Sequence, residues 1–572
     1  MKIIRVDMTN LKVSYQDVPN YYNDYAGRGL IAKIMNDEVD PKCDPLGPEN
    51  KLILAPGMFC GTTLVNTSRI SIGCKGPLTN TIKESNVGGT IGSALGKHAI
   101  KAIIFEGQPL KKGPFIFHLS KEGKAEIIEA PEVGGLRTYE FARKIFSRYG
   151  EDNSLLCIGP AGENLMKIAS IQSTDVDKNP CRAAGRGGVG AAMGSKHIKG
   201  IVVEHRADSL QEFADKSLFD AAAKRFAKAV MEHPFSSQLL PALGTAGLVG
   251  PVNAMGAFPS LNARIGVFEK WERISGEKLR EIIEARKGNP THLGCSQCII
   301  HCSNQYLDRD GSYLTGSLEY ETIWAMGAMT GIDDLDIIAQ LDRLSDEIGV
   351  DTMSMGVAIA VAMDAGYRSF GDTRFALEVL EEVANNTEMG NIMGDGPLSV
   401  GRHFKNPRVP VVKGQSIAAY DPRAMQGNAV TYATSPMGAD HTAGNVIGEY
   451  MSGRLDPLKP DGQVDASKNA QIAMAAVDST GLCLFASFAL LSPEGAQSML
   501  DLIKAKTGKI VDENTLGLIG IETLRLERAF NRAAGFTAKD DRLPEFFYRE
   551  PLPPHNTVVL IKDEDLAKAL EF

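Results

Sequence analysis

The chain has 572 residues, 43% hydrophobic and 23% charged, with no low-complexity tract and a net charge of −9. These are globular values at a length too great for one core, so about three domains are expected. The acidic balance, with no basic stripe against it, excludes a nucleic-acid or acidic-membrane binder.

Up to residue 208 the sequence alternates short β-branched runs with turns: Leu52–Leu54, Ile70–Ile72, Ala102–Phe105, Phe115–Leu119, Leu155–Ile158 and Ile198–Val203. Many of the 58 glycines fall between residues 27 and 200, which predicts tight turns or backbone pressed close to a ligand. After Asp208 the period changes. Leu218, Phe219, Ala222, Phe226 and Val230 follow helical spacing, and Asp333 and Asp334 open a helix carrying Leu335, Ile338, Leu341, Leu344 and Ile348. The extended stretch 407–412 reads as a linker, and helical spacing returns over 466–477. The expected fold is therefore α+β and multidomain: a β-rich domain over 1–208, then mainly helical domains over 209–415 and 416–572. The longest apolar runs, near 355–363 and 482–491, fall short of the ~18 residues of a membrane span. Met1–Asp7 carries no apolar export segment, so a cytoplasmic location is expected.

Three motifs carry chemistry. The first is Cys295, Cys298 and Cys302 in a C-x2-C-x3-C run, which suits one face of an iron–sulfur cubane whose fourth ligand comes from elsewhere, Cys483 being the candidate. A four-sulfur zinc site is the competing reading. The other five cysteines have no pairing pattern and read as small core residues. The second motif occurs twice, as Asp346-Glu-Ile-Gly-Val-Asp351 and Asp478-Ser-Thr-Gly-Leu-Cys483. In each an aspartate falls in the last helical turn, against the macrodipole, with a glycine three residues on at the left-handed C′ position. A carboxylate placed there suits a heterocycle with paired N–H donors; two ordinary solvated helix ends are the plainer alternative. The third is Arg182–Lys196, where Gly185, Gly187 and Gly190 formally match G-x-G-x-x-G. No strand-then-long-helix context surrounds them, so a dinucleotide fold is rejected in favour of an anion-binding loop flanked by Arg182, Arg186 and Lys196. Ser85–Gly92, with Asn86 and Gly88, is a second glycine-rich stretch facing the same expected cavity.

Together these residues resemble the tungsten-containing aldehyde:ferredoxin oxidoreductase family. The resemblance covers nearly the whole chain, from Gly27-Arg-Gly-Leu and Asp44–Lys51 through Ser68-Arg-Ile-Ser, Lys75-Gly-Pro-Leu-Thr, Arg182–Lys196, the cysteine triplet, Glu319-Tyr-Glu and both aspartate motifs to His441. It implies tungsten, or molybdenum, held by the dithiolenes of two pyranopterins beside one [4Fe–4S] cluster, on a base formed by the β-rich domain. It further implies that Asp346, Asp351 and Asp478, with Leu482 alongside, hold the pterin rings. Asn86 and Ala183 would meet their phosphates through Mg²⁺, near Gly88, Arg182, Gly185, Arg186 and Gly187, and Arg69 would bridge pterin and cluster. Cys295, Cys298, Cys302 and Cys483 would be the cluster ligands.

The implied reaction oxidises an aldehyde to the carboxylate and passes the electrons to ferredoxin or a ferredoxin-like subunit. Glu319 is the expected acid/base and His441 the group that hydrogen-bonds the metal's oxygen or the substrate; Glu321 ranks behind Glu319, and Tyr320 and Trp324 read as core. Two other readings stay open: the same cofactor used for another two-electron reaction, such as low-potential reduction of an aromatic thioester, or a non-catalytic Fe–S relay. No Glu-x-x-His motif is present, so the metal-bridged dimer of some family members is not expected, though another oligomer is possible.

Overall fold

The computed structural model describes residues 1–571. Its first 204 residues form two six-stranded sheets of the same design. In the first, the antiparallel hairpin Lys2–Asp7 and Lys12–Asp17 leads to the helix Gly27–Glu38 and then to the strands Leu52–Pro56, Ile70–Lys75 and Ile82–Val87. A short helix, Ile91–Lys97, returns the chain so that Ile100–Glu106 slides between the first and third strands, parallel to Lys2–Asp7 and antiparallel to Leu52–Pro56. The second sheet repeats every step. Phe115–Leu119 and Ala125–Glu129 form the hairpin, Thr138–Tyr149 the helix, and Asn153–Cys157, Ile171–Ser173 and Arg182–Ala184 the antiparallel run; Val189–Ser195 is the short helix. Ile198–Glu204 then inserts parallel to Phe115–Leu119.

Strands such as Leu52–Pro56 and Ile70–Lys75 are buried on both faces, which is why they read as continuous apolar runs instead of alternating ones. One face of each sheet packs against the other sheet: Leu54, Ile72, Ile103 and Phe105 meet Phe117, Leu156, Ile201 and Val203 in one core. The outer faces carry a helix each, through Leu30 and Ile34 over Ile53 and Ile104, and through Phe141 and Ile145 over Ile116 and Val202. The result is four layers, helix–sheet–sheet–helix. Many glycines serve this packing and not a ligand: a Cβ at Gly92 or Gly96 would strike the backbone of Ser68 or Cys60, and one at Gly190 or Gly194 that of Ser170 or Gly162.

The remainder is helix-rich. Lys216–Glu232 buries Phe219, Ala222, Phe226 and Val230 against Pro493–Thr507, as the spacing predicts. Leu335–Ile348 starts on Asp334, whose carboxylate accepts the Asp336 N–H at 2.8 Å, and stops at left-handed Gly349. Thr352–Asp364 is apolar all round and buried all round. The stretch 407–412 is not a free linker. Arg408 is buried, donating to the Asn262 carbonyl at 3.0 Å and to Glu550 Oε2 at 2.8 Å. Among the described residues no helix is long and apolar enough to cross a membrane.

One buried ion pair ties the front of the chain to its end. Arg28, near the start of its helix, makes a bidentate contact with Glu527 at 2.7 and 2.9 Å and reaches Asp478 Oδ2 at 3.2 Å. Arg28→Met strands two buried carboxylates and should cost about 3–5 kcal/mol in urea unfolding. Arg28→Met combined with Glu527→Leu should recover part of that loss, and a single variant as stable as the parent would show the pair to be dispensable.

Candidate functional site

The two equivalent edge strands, Ile82–Val87 and Arg182–Ala184, lie side by side, and a cavity opens over them. Two helices point their C-termini at it. Leu335–Ile348 ends at Gly349 and Gln463–Thr480 at Gly481, both left-handed. Each helix end is pressed onto one sheet where no side chain fits: a Cβ at Gly57 would collide with Gly481, and one at Gly159 with Ile348. The two Asp-x-x-Gly motifs therefore occupy equivalent places on the duplicated frame.

Most of the expected residues line this cavity: Arg69, Asn86, Gly88, Arg182, Ala183, Gly185, Arg186, Asp346, Asp351, Asp478, Cys295, Glu319 and His441. Two stand behind its wall. Gly187 packs against the stem of Lys83 while its carbonyl accepts the Leu78 N–H at 3.3 Å, and the Leu482 side chain lies in the core with Phe59 and Phe219. Sequence reasoning missed Arg28, Lys83, Glu84, Asp342 and Asp440, which also line it, and Cys181, expected only as a core residue.

The aspartates differ in what holds them. Burial, with Asp342 nearby, pushes the Asp346 carboxyl well above the usual range, and it accepts no hydrogen bond from the described residues. Asp478 is also raised by burial, although Arg28 opposes the shift. Asp351 is engaged as an N-cap, accepting the N–H groups of Met353 and Ser354 at 3.1 Å, with Arg186 Nε 3.7 Å away. Burial raises Glu84 to about 8 and Asp342 to about 7, each with a neighbouring carboxylate adding to the shift. Asp440 goes the other way: burial works against its charge, but Lys83 at 3.4 Å and Arg186 outweigh it.

The donors are in surplus on the opposite side. Arg182 Nε and Arg186 Nε are buried without an acceptor. A buried carboxylate lacking donors, facing buried guanidinium nitrogens lacking acceptors, is the complement of a ligand with N–H donors at one end and anionic oxygens at the other. The residues thus fit a pyranopterin with its ring toward Asp346 or Asp478 and its phosphate toward the arginines.

The two glutamates of Glu319-Tyr-Glu face different partners. Glu319 precedes the short helix Tyr320–Ile323 and is held by Arg182 Nη1 at 2.9 Å and by the Thr245 hydroxyl at 3.1 Å. Glu321 accepts the Ala419 N–H at 3.0 Å through one oxygen; the other lies 3.3 Å from His441 Nε2 without alignment for a hydrogen bond. Burial raises its carboxyl, with His441 opposing. Tyr320 and Trp324 are core residues, donating to the carbonyls of Ala419 and Pro259 at 2.8 and 2.7 Å.

Cys483 is brought to the cysteine triplet by Asn66, another residue that sequence reasoning missed. The Asn66 carbonyl accepts the Cys483 N–H at 2.8 Å, its N–H donates to the Gln297 carbonyl at 3.0 Å, and its side-chain amide reaches Cys298 Sγ at 3.3 Å. Gly89 N–H donates to Cys295 Sγ at 3.2 Å, and a Cβ at Gly88 would sit 2.8 Å from that sulfur. Arg69 lies close to Cys483 and Cys295 and donates to Asn86 at 3.0 Å, so it spans from the sulfurs to the cavity. Among the described residues no three of these sulfurs lie within 4.8 Å of one another, whereas one tetrahedral zinc at its usual bond length holds its sulfurs about 3.8 Å apart.

Comparison with known proteins follows the same division of the chain. The family model described as the N-terminal domain of aldehyde ferredoxin oxidoreductase matches residues 3–205, and that described as domains 2 and 3 matches residues 221–571. The tungsten-containing aldehyde ferredoxin oxidoreductase of Pyrococcus furiosus is 33% identical over 96% of this chain and 92% of its own. That of Thermococcus kodakarensis is 34% identical over 92% of this chain and 87% of its own. Among solved structures, the active site complex BamBC of benzoyl coenzyme A reductase with 1,5-dienoyl-CoA superposes with a TM-score of 0.81 at 18% identity. That superposition covers 99% of this chain and 92% of the other, and at such identity it shows the fold alone.

Glu84 gives a test of the site's electrostatics without any ligand. Its carboxyl is raised from 4.5 to about 8, so the folded chain keeps a proton that the unfolded chain has lost between those values. The associated stability is fully present below pH 4.5 and is lost as pH rises through about 8. In cofactor-free protein, the thermal midpoint of Glu84→Gln should fall less steeply across that window than the parent's. Parallel slopes would mean that Glu84 is ionised throughout.

Proposed function

Because the chain belongs to the aldehyde ferredoxin oxidoreductase family, we propose that it oxidises an aldehyde to the carboxylate at a tungsten centre carried by two pyranopterins. The electrons leave through a [4Fe–4S] cluster to ferredoxin or a ferredoxin-like protein. The observation that carries the reading is the pair of buried carboxylates, Asp346 and Asp478, brought by equivalent helix ends to one cavity beside four cysteines.

The overall change, RCHO + H2O → RCOO⁻ + 3 H⁺ + 2 e⁻, needs an electron acceptor, a base and an exit. Bound in the cavity, the metal centre supplies the two-electron acceptor. Asp346 and Asp478 would accept ring N–H groups of the pterins, and Arg182, Arg186 and the Asn86–Gly88 edge would hold their phosphates, with Mg²⁺ among them. Glu321 takes the proton, since its burial brings the carboxyl closer to a working base and its free oxygen faces His441. His441 orients the substrate oxygen. Glu319, fixed by Arg182 and Thr245, holds that arginine toward Cys295 and Cys302. Arg69, between Cys483, Cys295 and Asn86, lies on the electron exit. The C-x2-C-x3-C triplet, tied to Cys483 through Asn66, supports a cubane over zinc.

Glu321→Gln should retain tungsten and iron while aldehyde-dependent viologen reduction drops by about 10²–10⁴-fold, the usual worth of a positioned base. Glu319→Gln should lose less. The reverse order in metal-loaded protein would make Glu319 the base. For the cluster, anaerobically purified protein should carry about four irons with broad visible absorbance, both lost in Cys483→Ala and both kept in Cys74→Ala. Zinc without that absorbance in the parent would refute the assignment.

A further inference from the structure

Asp478 faces the cavity just described, but the next two residues, Ser479 and Thr480, line a different one. This second cavity, of about 850 Å³, lies within the size range of small-molecule pockets. Its walls include Lys101 from the first sheet, Ile503 and Lys506 at the end of the helix Pro493–Thr507, and Leu518 and Ile519 at the start of the helix Thr515–Ala534.

Two ammonium groups here make no direct ion pair. Lys101 is 8% exposed, and its three donors have one acceptor, the Asn23 carbonyl at 3.1 Å. Lys506 donates to Gln211 Oε1 and to the Glu212 carbonyl at 2.5 and 2.6 Å, with the Phe213 ring 4.7 Å away. Among the described residues no carboxylate comes within 4.0 Å of either nitrogen. Three acids share the lining: Asp24 pairs with Lys509, Glu522 accepts the Tyr25 hydroxyl at 3.3 Å, and Glu212 offers Lys506 its backbone carbonyl, its carboxylate standing beyond 4.0 Å. Burial pushes both lysines down to about 8, with Asp24 opposing at Lys101 and Glu212 at Lys506, and the charges of Lys506 and Lys509 lower Lys101 further. A buried ammonium with two unfilled donors, beside a second ammonium that makes no ion pair, leaves a place for an anionic head group although acids stand elsewhere in the lining.

The remaining lining describes the rest of that anion. Ile503 and Ile519 belong to the same wall, and two further aliphatic side chains of the lining stand in water, Ile510 at 100% and Leu518 at 59% exposure. Scattered exposed aliphatics are ordinary, but two in the lining of one cavity form a strip for an apolar tail. We propose that this cavity binds an aliphatic carboxylate, with its head group between Lys101 and Lys506 and its chain along Ile503 and Ile519 to Ile510 and Leu518. With no arginine fork in the lining, the head group is a small single charge, and the aliphatic strip disfavours a sugar phosphate. Such a ligand rests against the backbone of Ser479 and Thr480, in the turn that carries Asp478 and Cys483.

Calorimetric titration of the holoenzyme with octanoate, against octanol as the uncharged control, tests this. Octanoate should give saturable one-site heat and raise the thermal midpoint, and octanol should do neither. Lys101→Met and Lys506→Met should each weaken octanoate about tenfold or more. Leu518→Asp, at an exposed position that tolerates substitution, should weaken it as well. The proposal is overturned if octanoate gives no saturable heat at millimolar concentration, or if octanol binds equally well. It is equally overturned if binding survives all three substitutions, because the ligand then sits elsewhere, the first cavity included. Should Lys101→Met fail to fold, Lys506→Met and Leu518→Asp decide the question.

Discussion

Everything at the first cavity depends on two places where backbone meets backbone with no side chain between. Gly57 against Gly481, and Gly159 against Ile348, let a helix C-terminus settle directly onto each sheet. A single methyl group at either glycine would hold the helix away and withdraw Asp478 or Asp346 from the cavity. The close contact also explains why each helix must end on a left-handed glycine: the chain has to reverse at once, and only a residue without a Cβ does so without strain. Asp346 is consequently positioned by the frame and not by hydrogen bonds of its own, whereas Asp478 also accepts one from Arg28 at 3.2 Å. This is how Asp346 can be buried and unpaired and still stand at a defined point.

That arrangement is costly in the empty protein. Raised carboxyls at Glu84, Asp342, Asp346 and Asp478 share the cavity with Arg182 and Arg186, whose Nε atoms lack acceptors. Buried polar groups left short of partners, such as the Asp346 carboxyl and the two arginine Nε atoms, are tolerated where a ligand completes them and the rest of the fold supplies the stability. The shared core of the two sheets and the apolar helix Thr352–Asp364 contribute burial that owes nothing to the cavity.

Much of this was legible in the sequence, but unevenly. Helices with a clear apolar stripe were readable because their period is local, and so were the left-handed glycines closing Asp346 and Asp478, whose signal spans four residues. The duplication of the sheets was not readable. Its two copies share connection and register, not residues, and strands buried on both faces lose the alternation that would mark them. The glycines were noticed, but sequence cannot tell a glycine that admits a ligand from one that admits another turn of the same chain. Glu319 and Glu321 were separable only in space: two positions apart at a helix start, they point to Arg182 and to His441 respectively. Arg28, Lys83 and Glu84 carried no mark at all, because a buried charge and a solvated one are spelled alike. Asn66 escaped for a related reason, since it lies more than two hundred residues from both Cys298 and Cys483, the two segments that it joins.

The order of strands bears on how the chain is made. In each sheet the strand synthesised last enters the middle, Ile100–Glu106 between Lys2–Asp7 and Leu52–Pro56, and Ile198–Glu204 between Phe115–Leu119 and Asn153–Cys157. Until that strand leaves the ribosome, the amino-terminal hairpin has an open inner edge and the three-stranded run another, both primed to pair with the wrong neighbour. Each half therefore closes in one step, at about one hundred residues and again at about two hundred, whereas Asp346 and Asp478 arrive only much later. A nascent chain of this design offers a finished platform long before it has the two helix ends that complete the cavity, so the capture of any large prosthetic group belongs to the end of translation.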